Sequence, residues 1–299
     1  MAIGTANGYN NLPSGNWLPA IYSQKVQKFF RTASVVEDIT NTDYAGEIEA
    51  YGDTVNIIKE PTISVSSYTR GAQIAPQNLA DDQIQMVVDQ ANAFAFKVDD
   101  IEERQAHVNW EALATSSGAY ALKDSYDANV IAAMLAGAGT TTGSDGSGAD
   151  VGFASGEVDP MDILATAAKN LHALDIPTDN RWFLASPEFY EQLGNASSKL
   201  MDASITGDGT SPLRNGSVLN GLVNGFKLYM TNNFAASSTS NYVKVLFGHM
   251  SSTATANAIA KTEVIRDPDS FSDIVRGLHV FGRKVLRSEA LQARHLLID

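Results

Sequence analysis

The sequence contains no cysteine among its 299 residues. This absence excludes disulfides, thiolate zinc sites, iron–sulfur clusters and cysteine nucleophiles. Basic side chains are also in short supply, since 21 Lys and Arg residues face 34 Asp and Glu residues and leave a net charge of -13. A chain this acidic repels phosphate backbones, which argues against sequence-specific nucleic-acid binding.

Long apolar runs are missing as well. The most nearly apolar segment, residues 130–139, has about half of the roughly 20 residues that a membrane helix needs. The N-terminal stretch MAIGTANGYNNLPSGNW has neither the basic nor the apolar region of a secretory signal. These features predict a cytoplasmic protein without a membrane segment. Hydrophobic residues nevertheless make up 44% of the chain, which is ample for a folded core.

Motifs for nucleotide binding and catalysis are absent from the sequence. The glycine pair at 137–139 lacks the third glycine of a dinucleotide-binding loop, and neither a Walker-type loop nor a Gly-x-Ser-x-Gly elbow occurs. The five histidines lie far apart, without metal-site spacing, and are predicted to be structural. No catalytic residue, cofactor or metal ion is therefore predicted. One alternative stays open, an α/β enzyme with a site in residues 150–260 that uses His172, Asp175 or Asp179.

Three acidic clusters have the composition of metal sites, at residues 81–82, 99–103 and 267–273. The third resembles the start of a calcium loop but lacks the central glycine and the closing glutamate of an EF-hand, so turn capping is predicted for it. The second is predicted to cap a helix, because acidic side chains accept hydrogen bonds from the free amides of a first turn.

Two β-patterned runs enclose a polar, turn-rich segment. The runs are DTVNIIKE (53–60) and QIQMVVDQANAFAFKV (83–98), and SSYTRGAQIAPQNLADD (66–82) lies between them. In the second run, aromatic Phe94 and Phe96 alternate with small residues, which predicts a strand with one buried face. The whole segment predicts a long hairpin with turn-forming residues Arg70-Gly71 and Pro76 at its tip.

An uninterrupted helical pattern of about forty residues begins at Asp99 and ends at the glycines 137–139. At about 1.5 Å per residue it predicts a rod of about 60 Å, with Gly118 as a candidate kink. A hairpin and a rod cannot close a core by themselves. The sequence therefore predicts a subunit that packs against copies of itself.

The glycine- and serine-rich residues 140–150 predict a linker and the best domain boundary. Beyond it the pattern becomes α/β, with helices predicted at 160–174 and 187–193 and strands at 181–186, 226–231 and 242–248. From Lys261 onward, KTEVIRD and GLHVFGRKVLRSEALQARHLLI predict strands that pair with an earlier one, taken to be the 83–98 strand.

Five stretches form an ordered pattern along nearly the whole chain, from about residue 17 to 295. They are WLPAIYS (17–23), YGDTV (51–55), FAFKVDDIE (94–102), NGFKLY (224–229) and GLHVFGRKVLRSEAL (277–291). In this order they resemble the major capsid (coat) proteins of tailed bacteriophages, which have the Hong Kong 97-like fold.

The resemblance implies an α+β, Hong Kong 97-like capsid fold with four parts. These are an N-terminal arm (1–50), an extended β-hairpin loop reaching over a neighbour (51–92), a peripheral domain with a spine helix and sheet (93–139 plus 261–299) and a central α/β axial domain (150–260). Subunits would form the hexamers and pentamers of an icosahedral virion shell, assembled in the host cytoplasm. The shell would enclose double-stranded DNA without sequence-specific binding. Scaffolding, portal and decoration proteins are further candidate partners, and an encapsulin-like nanocompartment shell protein is the alternative.

The resemblance also bears on cross-linking, because part of the family joins a loop lysine to a neighbour's asparagine with an assisting glutamate. This chain departs from that pattern: Arg70 is the only cation in residues 61–82, and Lys59 lies near the strand base. Non-covalent stabilisation is therefore predicted. The predicted assembly contacts are Tyr68 and Arg70 on the loop and Asp99, Asp100, Glu102 and Glu103 at the acidic helix start.

Overall fold

The computed structural model describes residues 34–44, 54–59, 63–71, 73, 76–77, 83–99, 110–195, 197, 222–239 and 241–298. These residues form a mixed assembly of helices and sheets, as predicted. Most of the predicted N-terminal arm lies outside them. Within the ranges given, no helix is long and apolar enough to cross a membrane.

In chain order the strands are β1 (Thr54–Ile58), β2 (Gln83–Val87), β3 (Gln90–Asp99), β4 (Thr140–Thr142), β5 (Ala149–Val151), β6 (Arg181–Ala185), β7 (Leu222–Val223), β8 (Phe226–Met230), β9 (Tyr242–His249), β10 (Thr253–Arg266), β11 (Ser272–Val285) and β12 (Leu291–Ile298). The α-helices are α1 (Val36–Ile39), α2 (Trp110–Ala136), α3 (Pro160–Ala173) and α4 (Pro187–Leu193). Short 3-10 turns lie at Met250–Ser252 and Ser288–Ala290. The helices and strands predicted between residues 160 and 248 are confirmed.

The predicted hairpin is confirmed as a two-stranded antiparallel sheet, in which Thr54 faces Val87 and Ile58 faces Gln83. Its base packs on the rest of the subunit, because Met86 and Val88 are fully buried in a cluster with residues of β10 and β11. The hairpin therefore has an anchored base, and only its distal part lacks a core.

A three-stranded antiparallel sheet has the order β10-β11-β3. In it Ser272 faces Asp99 and Phe281 faces Gln90, which confirms that the 83–98 run pairs with the C-terminal part of the chain. The same prediction is wrong for β12, which pairs with β9. A 3-10 turn at Ser288–Ala290 separates β11 from β12, and five of the eight residues of β12 are buried and the other three partly buried, as in a strand covered on both faces.

The larger sheet has seven strands, in the order β4-β12-β9-β6-β8-β7, with β5 also paired to β12. Every residue of β6 is buried, because helices cover both faces. On one face, Phe183 lies in a cluster with α3 and α4. On the other face, Trp182 and Leu184 pack with α1 and α2. The run RWFLA is apolar almost throughout for this reason.

Residues 140–150 are not the predicted linker, since the segment begins with β4 and ends in β5, two short strands parallel to β12. Gly143 and Gly148 lie close to neighbouring backbone atoms. A Cβ atom on Gly148 would lie 2.5 Å from the carbonyl oxygen of His295. The glycine-rich composition predicted a flexible linker, but glycine is also required where two backbone segments approach each other closely.

Helix α2 ends at Ala136, directly before the predicted glycine stop, and is described from Trp110 over 27 residues. This length corresponds to about 40 Å. Asp99 ends β3, so it lies in a sheet and not in the helix. Residues 100–109 lie outside the described part of the chain, and the predicted helix start at Asp100–Glu103 stays a prediction.

Phe94 of β3 fits between two glycines of neighbouring elements. A Cβ atom on Gly118 of α2 would lie 2.8 Å from the Phe94 ring, and one on Gly277 of β11 would clash with the same ring. Gly118 therefore makes room for an aromatic side chain, and the helix runs through it without interruption.

We predict that Gly277→Ala destabilises the isolated subunit by about 1–3 kcal/mol, because the new methyl group overpacks the Phe94 ring. The loss should shrink in a Phe94→Leu background, where the ring is absent. Denaturant unfolding of dissociated subunits measures both values. Equal losses in the two backgrounds would contradict this packing account.

Candidate assembly surfaces

The distal hairpin keeps the register of its base. The turn is at Arg70-Gly71, and Gly71 has a positive φ of 87°, which glycine adopts without strain. Ser64 precedes Arg70 by six residues, and Gln77 follows Gly71 by six. The last pair of the β1–β2 ladder, Ile58 and Gln83, lies twelve residues from the turn on each side. The Gln77 Nε2 group donates to the Ser64 carbonyl at 2.6 Å and to its Oγ at 2.7 Å. This side chain holds the two arms at the spacing that the ladder sets.

The tip itself is ordered by local contacts and presents apolar side chains to solvent. The amide of Gly71 donates to the Tyr68 hydroxyl at 3.3 Å, which folds the ring against the turn. Val65 is 97% exposed, and Ile63 and Tyr68 are also largely exposed. Three large apolar residues in one short exposed segment exceed what an isolated subunit requires, so the segment is a candidate contact surface.

The three-stranded sheet has one face against α2 and one that the described part of the chain covers only in part. Tyr126 of α2 packs edge-on against Phe281, with ring centroids 4.8 Å apart, which fixes the covered face. Side chains on the face that points away from α2, including Ala93 and Ala95, line a groove of about 560 Å³. We call this surface the open groove. Its lining residues are Ala93, Phe94, Ala95, Lys261, Glu263, Arg276, Gly277 and Leu278.

A charged ladder crosses the floor of the open groove. Both the Nε and the Nη2 groups of Arg276 donate to Glu263 Oε2, at 3.1 and 2.7 Å, and Lys261 pairs with the other oxygen. Hydrogen bonds from Lys261 and Arg276, together with their positive charges, lower the pKa of Glu263 to about 2. The ladder links β10 to β11 and leaves one net positive charge beside the apolar lining.

The turn between β10 and β11 confirms the capping role predicted for the 267–273 cluster. The Asp267 carboxylate accepts the Asp269 amide at 3.0 Å and the Ser270 hydroxyl at 2.7 Å, and it pairs with Lys97. The hydrogen bond from Lys97 is the main cause of the lowered pKa of Asp267. Phe271 projects from this ordered turn and is 81% exposed.

Of the predicted contact residues, Tyr68 and Arg70 lie at the hairpin turn, and Asp99 lies half-buried at the end of β3. Their roles in assembly stay predictions. Asp100, Glu102 and Glu103 lie outside the described residues. Among the described residues, no group of three or more His, Asp or Glu side chains is placed to hold a metal ion.

Sequence reasoning missed the open groove and Phe271 as contact surfaces. A signal for the groove was present, since the solvent-facing positions of β3 carry alanine at 91, 93 and 95 where an exposed strand face normally carries polar residues. No comparable signal marks Phe271, because its exposure depends on the turn that Asp267 builds.

The exposed hairpin segment, the open groove and Phe271 are features of a subunit that associates through its surface. Residues 59–293 match the model of the phage capsid protein family. Since this match spans well over half of the sequence, the chain belongs to the phage capsid protein family. It is a structural shell subunit of a bacteriophage capsid.

Solved structures of similar shape agree with this assignment. One from Mycobacterium phage Che8 is 28% identical, covers 93% of this chain and 97% of its own, and has a TM-score of 0.75. The mature capsid of bacteriophage PhiM1 is 14% identical, covers 99% of each chain and has a TM-score of 0.68. A virus-like particle from Pyrococcus furiosus is 14% identical, covers 88% of this chain and 92% of its own, and has a TM-score of 0.53. No curated protein sequence matches the chain.

We predict that Glu263→Gln flattens the acid dependence of subunit stability. Because the folded state holds the pKa of Glu263 at about 2 instead of 4.5, its contribution is complete above pH 4.5 and is lost as the pH falls to 2. Urea unfolding of free subunits across this range should show a shallower slope in the variant. Glu289→Gln, in an exposed turn, is the control, and parallel curves for wild type and Glu263→Gln would refute the prediction.

Proposed function

We propose that this chain is the major shell subunit of a tailed-phage head, forming the hexamers and pentamers of an icosahedral capsid. The observation that carries the proposal is the family match over residues 59–293. It is supported by exposed apolar side chains on three separate surfaces, which copies of the chain would cover. Weak contacts suffice for such a role, because symmetry repeats each of them at every position of the shell.

The proposal includes the Hong Kong 97-like division into an arm, an extended loop, a peripheral domain and an axial domain. The anchored hairpin supports the extended loop, and the sheet β10-β11-β3 beside α2 supports the peripheral domain. Because β12 pairs with β9, we propose that residues 291–298 belong to the axial domain, and because β10 begins at Thr253, we propose that the peripheral domain begins there. The bounds of the four parts are otherwise those proposed from the sequence.

The shell is proposed to enclose double-stranded DNA, with assembly in the host cytoplasm. A net charge of -13 suits a wall that must not adhere to its genome. Scaffolding, portal and decoration proteins are proposed partners on the ground of the family alone. A structural role accounts for the features described without any catalytic residue.

An encapsulin-like nanocompartment is the second candidate function, and it is not favoured. The structure from Mycobacterium phage Che8, at 28% identity and a TM-score of 0.75, supports a phage shell. The matched family is also that of phage capsids.

We predict that the purified protein assembles into closed, symmetric particles that enclose no resident enzyme. Negative-stain microscopy and light scattering measure this directly. The physical reason is the apolar surface that a single subunit leaves in water. A monodisperse monomer at all concentrations, with or without a scaffolding protein, would contradict the proposal.

Boiling assembled particles in detergent and running them on a denaturing gel tests whether subunits are covalently linked. Because the described tip carries Arg70 and no lysine, a single band near 31.9 kDa is expected. A ladder of larger bands would show cross-linked subunits and would overturn the non-covalent part of the proposal.

A further inference from the structure

Three short segments lead into or out of the seven-stranded sheet on the side where it adjoins the three-stranded sheet. Residues 250–252 connect β9 to β10, and residues 286–290 connect β11 to β12. Residues 137–139 connect α2, which packs on the three-stranded sheet, to β4. We call these three segments together the joint, because the chain passes between the two sheets through them.

Backbone hydrogen bonds tie the three segments of the joint to one another. Ser252 is fully buried, and its carbonyl accepts the amides of Leu286 at 2.8 Å and Arg287 at 3.1 Å. The amide of Gly139 donates to the carbonyl of Ser288 at 2.9 Å. The connection after β9 and the connection after β11 therefore share one backbone acceptor, so that a shift of the first disturbs the second.

His249, the last residue of β9, holds the connection to β10 in shape. The Ser251 amide donates to Nδ1 of the ring at 3.1 Å, and the Ser251 hydroxyl lies 2.8 Å from the same atom. Because an amide N–H can only donate, Nδ1 carries no hydrogen, and the neutral ring carries its hydrogen on Nε2. A further proton adds to Nδ1, the atom that accepts the Ser251 amide. The charged ring can then donate to the hydroxyl, but the amide loses its acceptor.

Charged side chains face the His249 ring from three other segments. Arg181 lies opposite His249 in the β6–β9 ladder and is 2% exposed, and its Nε group donates to the Pro177 carbonyl at 2.6 Å, which holds the guanidinium in place. Arg287 of the joint adds a second positive charge, and Asp179, before β6, adds a negative one. Burial is the main cause of the lowered pKa of His249. Asp179 opposes this lowering, and the two arginines add to it.

We propose that His249 is a proton switch, whose neutral ring keeps the joint closed and whose protonation loosens it. Because the folded state holds the pKa of His249 below its ordinary value of 6.5, the stability that the ring contributes is complete above pH 6.5. It is lost as the pH falls from there toward the lowered pKa. The inference goes beyond the proposed shell function, since it concerns the folded subunit whether or not it is assembled.

Hydrogen exchange of the wild-type protein between about pH 8 and about pH 5, the range in which histidine changes charge, tests the switch. After correction for intrinsic exchange rates, the protection of the Ser251, Leu286 and Arg287 amides should fall on acidification. The expected fall is up to about tenfold per pH unit, the slope for one proton. The amides of β6 serve as the internal reference for global unfolding. Unchanged protection at the three amides, or a fall of the same size in β6, would overturn the proposal.

His249→Asn is the variant that separates the proton from the cap, because an asparagine oxygen accepts the Ser251 amide and does not titrate. Protection of the Leu286 and Arg287 amides should then stay constant across this pH range. His279→Asn is the matched control. His279 is also half-buried with a pKa lowered by burial, but it lies within the three-stranded sheet. This control should keep the wild-type response, and a His249→Asn protein with the wild-type response would show that His249 is not the switch.

A charge reversal beside the ring gives a second test that keeps His249 itself. Arg287 is exposed, so that Arg287→Glu is tolerated by the fold while it replaces a positive charge near the ring by a negative one. The carboxylate should favour the protonated ring and raise the pKa of His249 toward 6.5, which shrinks the acid-induced loss of protection at the Ser251 amide. A loss as large as that of the wild type, or larger, would contradict the switch.

Discussion

Helix α2 is the element on which both sheets depend. Near its middle, Tyr126 packs edge-on against Phe281 of the three-stranded sheet. From the next turn onward, Val130 and Met134 lie in the same buried cluster as Trp182 of the seven-stranded sheet. A single helix face thus joins both sheets in one core, because residues four apart stack on one side of a helix. The two sheets therefore hold a fixed relation, which a shell subunit needs if it is to present its contacts in a constant geometry.

This use of α2 leaves the other surfaces to intermolecular contacts. With the helix on one face of β10-β11-β3, the described residues cover the opposite face at the end where Met86 and Val88 pack. The hairpin continues far beyond that cluster, with Ser64 and Gln77 clamped and Val65 exposed. The partly open sheet face and the long hairpin have one cause. The chain leaves the hairpin through β2 and continues as β3, which is the edge strand that borders the open groove.

The elements that sequence reasoning predicted are those with a strong local signal. The hairpin turn at Arg70-Gly71, the stop of α2 before Gly137 and the buried strand β6 each follow from turn chemistry, glycine or an apolar run. The errors arose where distant pairing decides the outcome. Residues 140–142 and 149–151 are strands because β12 lies beside them, and Asp99 joins a ladder because Ser272 faces it.

The candidate contacts divide in the same way. Tyr68 and Arg70 were found from the turn, whereas the open groove forms only when β3 pairs with the distant strands β10 and β11. A site of this kind requires shape and small side chains at a few positions, with no fixed chemical group. Many sequences satisfy that requirement. This tolerance explains why a capsid chain that is 14% identical to this one still aligns over 99% of its length with a TM-score of 0.68. Core packing and surface fit constrain the fold more tightly than they constrain the residue type at each position.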